Sequence, residues 1–149
     1  MTTLCKVSEQ VPVACQLLFE QLLEQVAHYD AQRLVHIVCR FAMPAQGVSH
    51  SSTSSSSLRV MALHVLSASI RFMSAAQLLE EVESAVVPAA IAALNSPLVD
   101  LRKASIFVLV EMYLIVGDAL YPYLQELSPP QRKLLTIYIE KKIKARNGN

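Results

Sequence analysis

The chain has 149 residues, of which 53% are hydrophobic and 17% charged, with a formal net charge of +1. An average soluble domain is about 45–50% apolar and about 25% charged, so this composition excludes intrinsic disorder over most of the chain and requires a large core. Glycine occurs only 3 times and tryptophan is absent. Glycine scarcity argues against the phosphate loops and nucleophile elbows of NTPases, dinucleotide-binding enzymes and α/β-hydrolases.

The N-terminal third of the chain predicts two helices that are separated at Asp30. Apolar residues recur at helical spacing over about residues 10–26 and again from Asp30 to about Ala42, whereas period-2 alternation is not sustained anywhere in the sequence. Asp30 is the candidate N-cap of the second helix, because its carboxylate can accept a hydrogen bond from a backbone N–H of the first turn. The pattern predicts an all-α protein.

A serine-rich segment follows the second helix. Pro44 ends that helix, and residues 45–57 consist largely of serine. Such a segment has too little apolar surface to offset the entropy lost when it becomes ordered. We therefore predict a flexible loop at 45–57 inside a single helical domain that spans residues 1–149.

The next predicted helices cover about residues 58–73 and 75–95. Ser74 and Gln77 form a capping-box signature for the second of them, because each side chain can bond to the other residue's backbone N–H. Pro88 lies within this stretch, where it either opens a fifth helix or kinks a continuous one. Both alternatives remain open from the sequence.

The most apolar predicted helix spans about residues 97–116. Ser96 is its candidate N-cap, and Gly117 is its candidate stop because glycine readily adopts the left-handed backbone found after helices. Residues 106–116 are apolar on every side except at Glu111. A helix that is apolar all round needs neighbours all round, so this helix is predicted to be the centre of the domain.

A short helix over 118–126 and a final amphipathic helix over about 131–146 complete the predicted elements. The inner side of the final helix is expected to carry its apolar residues, Leu134, Leu135, Ile137, Tyr138 and Ile139. The same region is strongly basic, with Arg132, Lys133, Lys141, Lys142, Lys144 and Arg146 against the single acid Glu140. A basic end can meet an acidic partner, or it can be a solvated helix end where the macrodipole favours cations.

The residues offer little support for catalysis, so we predict a protein that is not an enzyme and holds no cofactor. His36 and Cys39 are spaced to share one helix face and could ligate zinc together with Cys15 or His28. A buried thiol beside a histidine is the simpler interpretation, and no metal site is predicted. The cysteines lack C-x-x-C spacing, which is typical of reduced thiols in the cytoplasm.

No signal peptide or membrane-spanning segment is predicted. The longest uncharged apolar run, residues 84–99, contains two prolines and falls short of the roughly 20 residues that a span needs.

The succession of paired helices is typical of an α-solenoid of HEAT-type repeats, whose units of about 40–47 residues stack on one another. The length of the chain fits about three to four such helix pairs.

Several short motifs in the C-terminal half carry a family resemblance. They are V-D-L-R-K-A (99–104), F-V-L-V-E-M-Y (107–113), G-D (117–118), P-Y-L (122–124) and K-L-L-T-I-Y (133–138). Together they resemble the C-terminal domain of the CLIP-associating proteins, the CLASP family. The ending, T-I-Y-I-E-K-K-I-K-A-R-N-G (136–148), is most similar to plant-type members. The resemblance covers about residues 80–148.

This resemblance implies a TOG-like domain of HEAT repeats in a microtubule plus-end regulator. In the family such a domain recruits CLIP-type linkers and kinetochore or cortical adaptors, which implies a cytoplasmic location on microtubules and the spindle, with protein rather than nucleic-acid partners. Arg102 and Lys103 match the Arg-Lys pair of the family's repeat motif and are candidate partner-binding residues, the alternative being intramolecular pairing. The second candidate set is Lys141, Lys142, Lys144 and Arg146.

Two alternatives to adaptor recruitment stay open. Tubulin-binding TOG domains typically place a tryptophan in the first inter-helix loop, and this chain has none, which counts against direct tubulin capture. A helical-repeat adaptor unrelated to microtubules would share the same fold, because fold alone does not determine function.

Overall fold

The computed structural model describes residues 13–44 and 53–148, and all regular elements in those two ranges are helical. The α-helices are α1 (Val13–Ala42), α2 (Thr53–Ile70), α3 (Ala75–Glu81), α4 (Val87–Leu94), α5 (Val99–Val116) and α6 (Pro129–Asn147). A π-helical turn (Val82–Val86) joins α3 to α4, and a 3-10 helix (Gly117–Leu124) follows α5. The all-α prediction is confirmed.

The predicted break at Asp30 is present inside α1. Asp30 has φ −156° and ψ 75°, so the helix stops and restarts there without an intervening loop. Its Oδ1 accepts a hydrogen bond from the backbone N–H of Arg33 at 3.0 Å. Asp30 therefore caps the second half of α1, as its position in the sequence indicated.

Helix α2 begins earlier than predicted. It starts at Thr53, so the predicted loop boundary at residue 57 was wrong. Serine is only moderately less favourable than alanine in a helix, so an apolar helix held by its neighbours can extend into a serine run. The Arg59 Nε donates to the carbonyl of Ala42 at 3.0 Å and ties the start of α2 to the end of α1. Residues 45–52 of the predicted loop lie outside the described residues.

The segment around Pro88 combines the two alternatives. The capping box of Ser74 and Gln77 is formed, and the backbone stays helical from there to Leu94. Proline has no N–H to donate and its ring crowds the carbonyl four residues earlier. The π-helical turn widens the backbone immediately before Pro88, which then lies in the first turn of α4.

Helix α5 is the centre of the packing, as predicted. Leu101, Val108, Leu109 and Met112 are completely buried, and α5 contacts α2, α4 and α6. The helix begins at Val99 rather than at 97 and its N-cap is Leu98, so the prediction of Ser96 as N-cap was wrong. The Ser96 hydroxyl instead accepts a hydrogen bond from the Leu98 N–H at 3.2 Å in the preceding turn.

The helices are stacked in the order expected of an α-solenoid. Helix α1 packs on α2, both α2 and α4 pack on α5, and α5 packs on α6.

The stretch Val99–Leu124 is long and apolar enough to cross a bilayer by length and composition alone, but half of its most apolar window is buried inside the protein. Core helices of folded domains share this property, since they must be apolar on all sides.

Candidate functional site

An open groove lies between α5 and α6, next to the end of α4. Its volume is about 370 Å³, and we call it the α5–α6 groove. The apolar part of its lining comes from Leu94, Val99, Ile106, Leu134 and Tyr138, and the basic part from Arg102 and Lys103. None of the described residues that line this groove is acidic. The groove therefore combines an apolar floor with positive charge.

The turn between α4 and α5 is held in place by Arg102. One guanidinium nitrogen of Arg102, Nη1, donates to the carbonyl oxygens of Ser96 at 2.9 Å and Pro97 at 2.7 Å. These carbonyls precede the helix and have no partner in the ladder of α5, so a charged donor is a strong partner for them. Arg102 consequently fixes the rim of the groove.

Gln131 joins the same turn to the start of α6. Its Nε2 donates to Asn95 Oδ1 at 3.1 Å, while its Oε1 accepts from the backbone N–H of Ser128 at 2.9 Å. The second bond is half of a complete capping box at the start of α6. Gln131 therefore both caps α6 and holds the start of α6 against the end of α4.

An aromatic pair lies at one end of the groove. The rings of Phe107 and Tyr138 meet edge to face, with centroids 5.9 Å apart and an interplanar angle of 85°. This arrangement is favoured by the opposite partial charges of ring edges and faces. It holds α6 on α5 at the level where the groove ends.

Large apolar side chains stay exposed around the groove. Val99 is 65% exposed and Ile137 is 51% exposed, and Leu98 and Leu134 are also exposed. The prediction that Leu134 and Ile137 point inward was therefore wrong, whereas Leu135 and Ile139 are buried as expected. The apolar side of α6 is wider than the strip that α5 alone can cover.

The predicted partner-binding residues fall into three different environments. Arg102 and Lys103 both line the α5–α6 groove, with Lys103 exposed and Arg102 already bonded to the turn. Lys141 and Lys144 are exposed and follow Leu134 and Ile137 along the outer side of α6. The structure thus places Lys103 in the groove lining and leaves Lys141 and Lys144 exposed on α6 beyond the residues that line the groove.

Lys142 lies on the opposite, inner side of α6. Its Nζ is 3.4 Å from Oε1 of Glu111, and Arg71 Nη2 is 3.2 Å from the same oxygen. Glu111 is buried, with 5% of its surface exposed. Arg146 is one turn further along on the same side and is exposed. Lys142 is therefore engaged within the protein.

The candidate zinc ligands are not assembled into a site within the described residues, which contain no group of three or more metal-binding side chains. His36 Nδ1 is 3.6 Å from Oε2 of Glu81, and the side chain of Cys15 lies outside what the structure describes. Burial raises the pKa of the Cys39 thiol to about 12, and the charge of Glu81 adds to the rise. A thiol with that pKa stays protonated at neutral pH and is a poor nucleophile and metal ligand.

The exposed apolar residues of the groove are the part of the site that sequence reasoning missed. Val99 opens a helix whose other positions are mostly buried, and nothing in the local pattern distinguishes it from them. The signal that could have found Leu134 and Ile137 is the width of the apolar side of α6, which exceeds a single contact strip.

The structure defines an all-α protein of stacked helices with an open apolar and basic groove. Over 89 residues the chain is 35% identical to "CLIP-associated protein" of Arabidopsis thaliana, a match that covers 60% of this chain and 6% of that protein. It is 36% identical over 64 residues to "CLIP-associating protein 1-B" of Xenopus laevis and to "CLIP-associating protein 1" of Xenopus tropicalis, covering 43% of this chain and 4% of each relative.

The resemblance to the CLIP-associating proteins, with a plant protein among them, is thereby confirmed. No family model matches the chain. The matches extend over only 4–6% of the length of these curated relatives.

Proposed function

We propose that this chain is a non-enzymatic protein-interaction domain of a microtubule-associated plus-end regulator. The observation that carries the proposal is the 35% identity over 89 residues to a protein named for its association with CLIP. We also propose that residues 1–149 form one TOG-like domain of HEAT repeats.

The surface of the protein supports a docking role. Solenoid folds expose long faces on which partners bind, while their buried helices provide rigidity. Here the rigid element is α5, and the exposed apolar residues Val99 and Ile137 lie beside basic side chains. Apolar groups that stay exposed beside polar ones are typical of protein interaction sites.

The partners follow from the family. We propose that the domain recruits CLIP-type linkers and kinetochore or cortical adaptors, and so acts in the cytoplasm on microtubules and the mitotic spindle. Lys103, Lys141, Lys144 and Arg146 are the members of the predicted basic sets that are exposed and have no intramolecular ion pair among the described contacts. They are the residues that we expect to contact a partner.

Size-exclusion chromatography of the purified chain tests this proposal. The chain is mixed with the coiled-coil region of a CLIP-type linker or with αβ-tubulin, at low and at physiological salt. We expect co-elution with the coiled coil and not with tubulin, with weaker binding at higher salt because exposed charges are screened. Co-elution with tubulin alone would replace this function with direct tubulin binding, and co-elution with neither would contradict the proposal.

A further inference from the structure

We propose that the α5–α6 groove binds an amphipathic helix of a partner protein whose apolar side chains are flanked by acidic residues. This inference rests on the proposed function and specifies the binding surface and the chemistry of the partner.

The shape of the groove fits a helix. Both long walls are helices, and its lining runs from Val99 to Ile106 on α5 and from Pro130 to Tyr138 on α6. At about 1.5 Å per residue each wall is roughly two turns long. A groove between two helices accepts the apolar face of a third through residues spaced i, i+3, i+4 and i+7. Two turns of an incoming helix supply three or four such side chains.

The charge around the groove selects an acidic partner. Lys103 lines it, and Lys141 lies two helical turns beyond Leu134 on the same side of α6, past the residues that line the groove. The nearest acid on α5, Asp100, is exposed, does not line the groove and has no ion pair with Lys103 among the described contacts. Acidic side chains that flank an apolar strip would meet these lysines, whereas a basic helix would be repelled.

Other occupants fit the groove less well. A second copy of the chain would present the same groove lining, which contains no acidic residue that could pair with Lys103. The segments of this chain outside the structure are poor in acids, with Glu9 as the single acidic residue in 1–12 and none in 45–52. The observations therefore favour a separate acidic partner.

A designed peptide tests the inference directly. The probe is a fluorescein-labelled helix of roughly 18 residues, long enough to be helical in water, with leucines at i, i+3, i+4 and i+7 and glutamates on both flanks. Its counterpart carries lysine in place of every glutamate. Fluorescence anisotropy with the full 149-residue chain should show saturable binding of the acidic peptide and at least about tenfold weaker binding of the basic one.

Matched variants locate the binding. Val99→Glu and Lys103→Glu alter exposed groove residues and should each weaken acidic-peptide binding by about tenfold. Leu58→Glu and Arg33→Glu make the same kinds of change at exposed positions outside the groove lining and should leave binding unchanged. Circular dichroism confirms that each variant is folded before its binding is compared.

The outcomes separate this inference from the proposed function. Equal binding of both peptides, binding that is unchanged in Val99→Glu and Lys103→Glu, or no binding of the acidic peptide would overturn it. A concentration-dependent dimer that Val99→Glu abolishes would also overturn it, in favour of a second copy as occupant. If the CLIP-type coiled coil still co-elutes with both groove variants, the adaptor role stands and only the groove assignment fails.

Discussion

Lys142 Nζ and Glu111 Oε1 lie 3.4 Å apart and connect the final helix to the centre of the protein. Arg71, just after α2, reaches the same carboxylate at 3.2 Å. Glu111 is the acid that interrupts the apolar circumference of α5, and two cations from distant parts of the sequence neutralise it. A buried charge is tolerated when it is paired and costly when it is not.

Removing both cations should destabilise the protein more than removing the acid. Arg71→Met combined with Lys142→Met leaves the buried Glu111 carboxylate unpaired, and we expect a loss of about 3 kcal/mol or more in the free energy of unfolding. Glu111→Gln keeps a hydrogen-bond acceptor and leaves two half-exposed cations that water can solvate, so its expected cost is about 1 kcal/mol. Urea denaturation monitored by circular dichroism measures both.

A triple variant serves as the control for this prediction. Adding Glu111→Met to the two cation replacements removes the unpaired charge, so it should recover much of the lost stability. Equal stability of the double and triple variants would mean that the carboxylate is not buried as the structure describes.

The buried position of Val108 predicts that the protein cannot accept a charge there. Val108→Asp places an unpaired carboxylate at a fully buried site, which costs several kcal/mol and is comparable with the whole stability of a domain. Val99→Asp makes the same change on the same helix at an exposed site and should cost less than about 1 kcal/mol. A cooperative thermal transition retained in Val108→Asp would contradict the central position of α5.

The backbone at Gly117 requires glycine. Its φ of 61° and ψ of −140° lie in a region that side chains with a Cβ rarely adopt, although no atom is within 4 Å of the added Cβ. Gly117→Ala should therefore cost about 1–3 kcal/mol through backbone strain alone. Gly148→Ala, at a φ of −93°, is a control without backbone strain; its added Cβ lies 3.3 Å from the Lys144 carbonyl oxygen at an exposed helix end, so it should change the unfolding midpoint little. Equal effects would rule out strain as the cause.

Local signals explain how much of the fold was predictable. Asp30, the Ser74 capping box and Gly117 act on backbone groups within a few residues, so their roles could be inferred from sequence. Two features could not be inferred from local sequence, because they depend on how neighbouring helices pack. They are the start of α2 at Thr53 and the π-helical turn before Pro88.

The site was predictable only in part, for the same reason. The Arg-Lys motif led to Arg102 and Lys103, and both line the groove. The sequence did not indicate that Arg102 bonds to the carbonyls before α5, or that Lys142 reaches Glu111. These pairings arise from tertiary contacts, as does the exposure of Leu134.

Burial of Cys39 predicts a pH-dependent contribution to stability. Its pKa is about 12 in the folded protein against an ordinary value of 9.0, so folding favours the protonated thiol. That contribution is fully present below pH 9 and is lost as the pH rises from 9 toward 12. The test compares two chains that both carry Cys5→Ser and Cys15→Ser, one with Cys39 and one with Cys39→Ala. Between neutral pH and pH 10, the free energy of unfolding should fall by about 1 kcal/mol more in the chain that keeps Cys39. Identical pH profiles would show that the thiol is accessible to water.

The central claim is that the chain docks an adaptor at microtubules rather than capturing tubulin itself. Total internal reflection microscopy of dynamic microtubules with the fluorescent chain, alone and with a CLIP-type linker that tracks growing ends, tests it most directly. We expect the chain to accumulate at growing ends only when the linker is present, and to a smaller extent at higher salt. Accumulation on microtubules without the linker, or no accumulation in its presence, would contradict the claim.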